Sequence, residues 1–267
     1  MAAGRIRAGI GGWTFEPWRG VFYPAGLKQA EELAYAASHL TAIEINGTYY
    51  SSFKPESWAK WRAATPDGFR FAVKASRFCT NRKVLGEMGE SMGRFLGQGL
   101  VELGDRLGPI LWQFAGTKRF DPDDFEAFLK LLPKAQDGLA LSHVVEPRHA
   151  SFMTPEFIAL ARKYGVTVCL ADHGQYPLIP DVTAEVVYVR LQTGSDAIET
   201  AYSPADLDLW AGRLRSYAQG LAPADLPAVA PGAPAPKTPR DVYAFVIHEG
   251  KVRAPACAMA IIDRLDG

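Results

Sequence analysis

The sequence predicts a single (β/α)8 barrel of the TIM type. Eight short apolar segments rich in β-branched residues are spread along the chain, and most are followed by a stretch with helix signals. The 267-residue length suits one such barrel without requiring a second domain. The competing doubly wound sheet usually has fewer strands and a glycine-rich phosphate turn after the first, a fingerprint that Gly9-Ile-Gly-Gly12 does not match. Residues 1–267 are therefore taken as one domain.

Arg5 to Gly12 reads as the first strand and Trp13 to Pro24 as an aromatic loop. Gln29 to Ser38, rich in Ala, Glu and Leu, predicts a helix. In the second strand, Ala42 to Asn46, Ile43 and Ile45 alternate with Glu44 and Asn46, so the polar pair shares one face. A parallel sheet covered by helices is buried on both faces, and a carboxylate there needs a partner or a task. A helix is expected from Pro55 to Ala64 and a third strand from Arg70 to Lys74. A long helix follows from Glu87 to Leu103, weakened inside by Gly93, Gly97 and Gly99. Pro109 to Phe114 is the fourth strand, and Asp121-Pro-Asp-Asp124 opens the next helix with proline and acids in its first turn. Leu139 to Glu146 holds the fifth strand; Thr154-Pro155-Glu156 caps a helix that Gly165 stops. Val166 to Asp172 is the sixth strand, with no clear helix in Gly174 to Ala184. Val186 to Gln192 is the seventh, and Ser203-Pro-Ala-Asp206 caps a helix to Gln219. Asp241 to His248 is the eighth strand, and Pro255 to Leu265 the closing helix. Residues 222–240 stand apart: with six prolines between Leu221 and Pro239 and no periodicity, they read as a mobile or polyproline-like surface loop.

Lys+Arg and Asp+Glu each number 29, which argues against general binding to nucleic acid or anionic membrane. Cys79, Cys169 and Cys257 are far apart, lack metal-type spacing and read as reduced thiols. The N-terminus lacks the apolar segment of a signal peptide, and no apolar run approaches a membrane span. A cytoplasmic protein with no membrane partner is expected.

Barrels of this class place their active sites at the C-terminal ends of the strands. Here those ends carry Trp13, Glu44 and Asn46, Lys74, Gln113, Glu146 with Arg148 and His149, Asp172 with His173, Arg190 and Gln192, and His248 with Glu249. Polar groups gathered at one end of apolar strands are what a site requires, although Glu44 and Lys74 also suit simple mutual neutralisation. Glu44, Glu146, Asp172 and His149 are the catalytic candidates. Hard oxygen donors with imidazole suit Mg, Mn or Zn, while the same carboxylates suit an acid/base pair. Lys74, Arg77, Arg82 and Lys83, with Arg148 and Arg190, make a cationic rim fitted to phosphate or carboxylate. Trp13, Phe15, Trp18, Tyr49, Tyr50 and Phe53 crowd the first two loops; Trp13 reads as a stacking platform, and Trp18, Phe22 and Tyr23 as a packed lid.

Several segments resemble the domain of unknown function 72 (YecE-like) family. They are Ile10-Gly-Gly-Trp13, Trp18 to Pro24, Ile43-Glu-Ile-Asn46, Thr48-Tyr-Tyr50, Phe69 to Lys74, Leu111-Trp-Gln113, Glu146-Pro-Arg-His149, Leu170-Ala-Asp172, Tyr188-Val-Arg-Leu191 and Ala201-Tyr-Ser203. The resemblance runs through nearly the whole chain in order. It implies a TIM-type barrel without an established activity, distantly similar to xylose-isomerase-like barrels that include metal-dependent abasic-site endonucleases. It supports Glu44, Asn46, Lys74, Gln113, Glu146, Arg148, His149, Asp172 and Arg190, and draws Tyr202 into the substrate-binding set. Gln192 departs from the family's usual histidine, and Val246-Ile-His248 from its Phe-Asn-Asn type run. Glu146 to Phe152 is a degraded form of its Glu-Phe-Arg-His-Pro-Ser-Trp segment, and the proline loop is an insertion.

Three functional readings follow. The first is an enzyme acting on a phosphorylated or other anionic substrate, nucleic acid included, with or without a divalent metal. The second is a binding protein for such ligands with a degraded site. The third is a metal-free carboxylate-dependent hydrolase acting on a sugar.

Overall fold

The computed structural model describes residues 3–266, the side chain of His248 excepted, and it is a parallel α/β barrel. The strands are β1 (Ile6–Gly11), β2 (Ala42–Ile45), β3 (Arg70–Lys74), β4 (Leu107–Gln113), β5 (His143–Glu146), β6 in two segments (Thr167–Val168 and Leu170–Asp172), β7 (Val186–Thr193) and β8 (Asp241–Glu249). Each pairs in parallel with its sequence neighbour, and β8 returns to β1 through Ile6↔Val242 to Ile10↔Val246. The two segments of β6 close the cylinder. The first pairs with β5, the second with β7, and the Cys169 amide between them donates to the Val145 carbonyl at 2.8 Å.

The covering helices are α1 (Glu32–His39), α2 (Pro55–Ala63), α3 (Gly89–Leu96), α4 (Pro122–Leu131), α5 (Pro155–Tyr164), α6 (Pro204–Ala218) and α7 (Ala254–Asp266). Capping explains several starts. The Asp121, Thr154 and Ser203 side chains accept from backbone amides of α4, α5 and α6, with proline in each first turn, and Gly165 ends α5 at φ 66°. No helix lies between β6 and β7, as expected. The long helix expected over Glu87 to Leu103 is instead broken into a 3-10 turn (Leu85–Glu87), α3 and a 3-10 stretch (Leu100–Arg106). Gly99 is the cause: it sits at φ 109°, and a Cβ there would lie 2.9 Å from Pro55 Cα. The fifth strand is shorter than Leu139 to Glu146, because Leu139–Ala140 folds back on Ala135–Gln136 as a small antiparallel hairpin.

Two apolar cores result. Outward residues such as Ile43, Ile45, Val73, Ile110, Trp112, Val145 and Leu191 pack against the helices. Inside the cylinder lie Ala42, Ala72, Leu111, Val144, Cys169, Tyr188, Tyr243 and Phe245. This interior is lopsided: alanines line β2 and β3, while Tyr188 and Phe245, 5.2 Å apart, project from β7 and β8. The small residues make room for the large ones to reach across, so the barrel is filled rather than hollow.

The proline loop, expected to be mobile or polyproline-like, is tied to the barrel by side-chain hydrogen bonds. The Asp181 carboxylate accepts from the amides of Val229 (2.6 Å) and Ala230 (2.9 Å), and Arg240 donates to carbonyls of Ala184, Thr238 and Pro236. The loop joins α6 to β8 and so lies at the N-terminal end of the barrel, opposite the mouth. Asp181→Ala should remove two charge-assisted hydrogen bonds, costing about 1.5–3 kcal/mol each. Faster limited proteolysis within residues 222–240 is the expected readout; unchanged cleavage would show that the loop is held otherwise.

Candidate active site

Alternation along β2, β3, β4, β5 and β7 carries Glu44, Lys74, Gln113, Glu146 and Arg190 to the inner face at the C-terminal end. Glu44 and Glu146 have no solvent exposure, and Arg190 has 2%. Arg190 lies between them: Nη2 donates to Glu44 Oε1 at 3.0 Å, Nε to Glu44 Oε2 at 3.2 Å, and Nη1 to Glu146 Oε2 at 2.6 Å. Each carboxylate has further donors. Tyr188, from within the interior, donates its hydroxyl to Glu44 Oε2 at 2.6 Å. Gln113 Nε2 and Arg148 Nε donate to Glu146 at 2.8 and 3.0 Å. Buried carboxylates are tolerated only when paired and hydrogen-bonded in this way.

The electrostatics follow from this packing. Burial alone would push the Glu146 carboxyl up, but Arg190, Arg148 and the Gln113 amide outweigh it and hold the group below the usual carboxylate range. Burial and the adjacent Glu44 raise the Tyr188 hydroxyl well above an ordinary phenol, so it stays a donor. Tyr188→Phe deletes a bond to a buried charge and should destabilise the fold by about 1.5–3 kcal/mol, measured by urea titration. A smaller change would mean that Arg190 alone satisfies Glu44.

Lys74 does not neutralise Glu44. It is 9% exposed, makes no ion pair among the described residues, and rests its Nζ 4.2 Å from the centre of the Tyr49 ring. Burial first, then Arg190 and Arg148, draw the ammonium down, and Glu44 and Glu146 only partly offset them, leaving its pKa at about 8. The Tyr49 hydroxyl accepts from Asn81 at 3.0 Å, and Thr48 Oγ1 donates to the Lys74 carbonyl at 2.6 Å. Gln192, two residues beyond Arg190 on β7, is 2% exposed, and both of its amide atoms are buried without a hydrogen-bond partner. Asn46 lies close by Gly11 and Ile247: a Cβ on Gly11 would come within 2.9 Å of Asn46 Nδ2.

Other expected site residues fall elsewhere. Asp172 pairs in register with Leu191, whose side chain is in the outer core, so it faces away from the cylinder; Ala171 holds the inner position. Its carboxylate accepts from Thr193 Oγ1 (2.7 Å) and the Tyr202 hydroxyl (3.1 Å), tying together the loops after β6 and β7. His149 caps a 3-10 turn, its Nδ1 accepting from the Ser151 amide at 3.1 Å. Trp13 is not presented as a platform: it packs edge-on against Trp61 (5.1 Å) and against Phe71 (6.2 Å). Trp18, Phe22 and Tyr23 form the expected packed cluster. Arg77 is exposed, and Arg82 turns to the Phe78 and Glu87 carbonyls and Ser91, bracing its own loop. Arg82 is thereby turned away from the expected cationic rim. Arg148 and Arg190 are paired with carboxylates, and Arg148 also lies 4.4 Å over the Tyr176 ring. The His248 side chain lies outside the described residues.

Nor do the donors suit a divalent metal. The Arg190 guanidinium fills the space between Glu44 and Glu146, Asp172 is on the other face, and no cluster of three or more potential ligands occurs among the described residues. Tyr188 escaped the sequence reading, although its spacing from Arg190 and Gln192 gives all three one face.

The chain is thus of the parallel α/β barrel class, with a carboxylate–guanidinium–carboxylate bridge beneath its mouth. The chain belongs to the family described as "Protein of unknown function DUF72", whose sequence profile matches residues 7–267. It is 29% identical over 150 residues to the UPF0759 protein YecE of Escherichia coli K12, covering 55% of this chain and 50% of that protein; the chain thus spans about half the length of the curated relatives it matches. A DUF72 family protein from Thermotoga maritima superposes with a TM-score of 0.75 at 22% identity, over 98% of this chain and 100% of that one. A D-psicose 3-epimerase solved in the presence of D-fructose shares the fold at a TM-score of 0.51 and 13% identity, over 97% and 96% of the two chains. Among the described residues, no helix is long and apolar enough to cross a membrane.

Proposed function

We propose that the chain is an enzyme acting on a small anionic substrate, of the phosphate-ester or carboxylate class, bound over the barrel mouth at Lys74, Gln192 and Asn46. The carrying observation is the state of Lys74: among the described residues of the ring, the other charges are paired and it is the cation left without a carboxylate. Two carboxylates against Arg148, Arg190 and Lys74 leave one positive charge while Lys74 is protonated. The unpartnered Gln192 amide supports the same reading, because buried polar groups without partners are rare and call for an explanation.

The bracketed carboxylates speak against the paired-carboxylate hydrolase. With Glu146 held ionised and Arg190 between the two groups, neither is placed to donate a proton to a leaving group.

Isothermal titration with dihydroxyacetone phosphate and inorganic phosphate, against neutral dihydroxyacetone, tests the proposal. The anions should bind and the neutral compound should not. Lys74→Met should weaken binding at least about tenfold, the scale of one charge-assisted contact. Gln192→Leu should weaken it as well while leaving the fold as stable or more so, since it removes two unsatisfied buried atoms. Equal binding of charged and neutral compounds, or a Gln192→Leu variant that unfolds, would count against the reading.

A further inference from the structure

We infer that Lys74 is a nucleophile, and that the substrate class is a small anionic aldehyde or ketone which it captures as an iminium ion. The inference rests on the proposed anionic-substrate reading and specifies the chemistry of the same site.

The geometry provides what an amine nucleophile needs. Lys74 ends β3 on the inner face, its carbonyl is fixed by Thr48, and its Nζ stands over the Tyr49 ring without an ion pair. Among the described residues, the charged and titratable groups facing it are Glu44 from β2, Tyr49 from the loop after β2, Glu146 and Arg148 from the end of β5 and its loop, and Arg190 from β7. Burial and the two guanidiniums exceed the pull of the two carboxylates, so the ammonium loses its proton near pH 8. An exposed lysine, with a pKa of about 10.4, is almost wholly protonated at neutral pH. Desolvation and neighbouring cations are the two means by which lysines become Schiff-base nucleophiles. A lysine used only as an anion anchor would be served by a fully charged ammonium; this one keeps a usable fraction of free amine.

The step balances without a further reactant. The ammonium gives up one proton, and the Nζ lone pair adds to the carbonyl carbon as the C=O π pair moves to oxygen. Proton transfer from nitrogen to that oxygen gives a neutral carbinolamine. The released proton then returns to the hydroxyl, which leaves as water while the nitrogen lone pair forms the C=N bond. Overall, R–NH3+ and a carbonyl give R–NH+=C and water, with charge conserved. The iminium is cationic again, so the Tyr49 face that holds the ammonium suits the product of the step as well.

The test is reductive trapping. The full chain is incubated with dihydroxyacetone phosphate, and separately with glyoxylate, in the presence of cyanoborohydride, which reduces iminium ions in preference to free carbonyls; peptide mass mapping then locates the adduct. Lys74 should be labelled at least about a hundredfold faster than exposed Lys28 or Lys54, with a labelling midpoint near pH 8. Lys74→Arg should lose the adduct, because a guanidinium cannot form the iminium. Labelling of Lys74 no faster than Lys28, with dihydroxyacetone phosphate still binding, would overturn the iminium and spare the anionic-substrate reading. Absence of both label and binding, to inorganic phosphate as well, would overturn both.

Discussion

Arg190→Met is expected to destabilise the protein by about 3–5 kcal/mol, a large fraction of the roughly 5–15 kcal/mol that holds an ordinary domain folded. Arg190 is the shared partner of Glu44 and Glu146, both fully buried. Methionine keeps an unbranched apolar stem but removes the guanidinium, leaving Glu44 without an ion pair and Glu146 with Arg148 alone. They must then take up protons or draw in water, and either cost falls on the folded state. Urea denaturation at pH 7 gives the magnitude. Lowering the pH should partly rescue the variant, because protonation removes the repulsion. A loss below about 1 kcal/mol would mean that Tyr188, Gln113 and Arg148 suffice to hold the carboxylates.

Glu146→Gln is expected to cost about 3 kcal/mol at pH 7 and to flatten the acid limb of the stability curve. The sign follows from linkage. The folded-state pKa of Glu146 lies below its unfolded value, so its contribution is fully present above the unfolded value of about 4.3 and is lost as pH falls through the folded one. The gap between wild type and Glu146→Gln should therefore narrow steadily below about pH 4. Parallel curves would show that Glu146 is not the group responsible for acid sensitivity. The Gln113 donor, left facing an amide, gives a second readout: Gln113→Glu in the Glu146→Gln background restores a carboxylate, and should recover stability only if Arg190 can reach it.

The barrel was legible because its strands alternate β-branched apolar residues with turn and cap signals, features local to a few residues. What failed to show was also physical. The break after α3 depends on Gly99 meeting Pro55, a contact between distant segments. The pinned proline loop depends on Asp181, some fifty residues upstream. Glu44, Lys74, Gln113, Glu146 and Arg190 were recognisable as a set because each ends a strand. Their pairing was not, since alternation gives the face of a side chain but not its reach across the cylinder. Asp172 was misplaced for a simpler reason: with Leu170 and Leu191 facing outward, its parity excludes it from the interior. Tyr188 shows the reverse, a site partner masked by a composition that reads as core.

The bridge across the mouth also bears on synthesis at the ribosome. Glu44 finds its cation 146 positions later in the chain. Until β7 has emerged, the nascent N-terminal half holds at the end of β2 a carboxylate that cannot be buried without penalty. Early closure of a partial cylinder is thereby discouraged, and the emerging chain is kept open until the strand carrying Arg190 arrives. A fragment ending before β7 should accordingly remain loosely ordered and sensitive to protease. Adding residues through Thr193 should not by itself restore order, because β8 must still join β1 to close the wall.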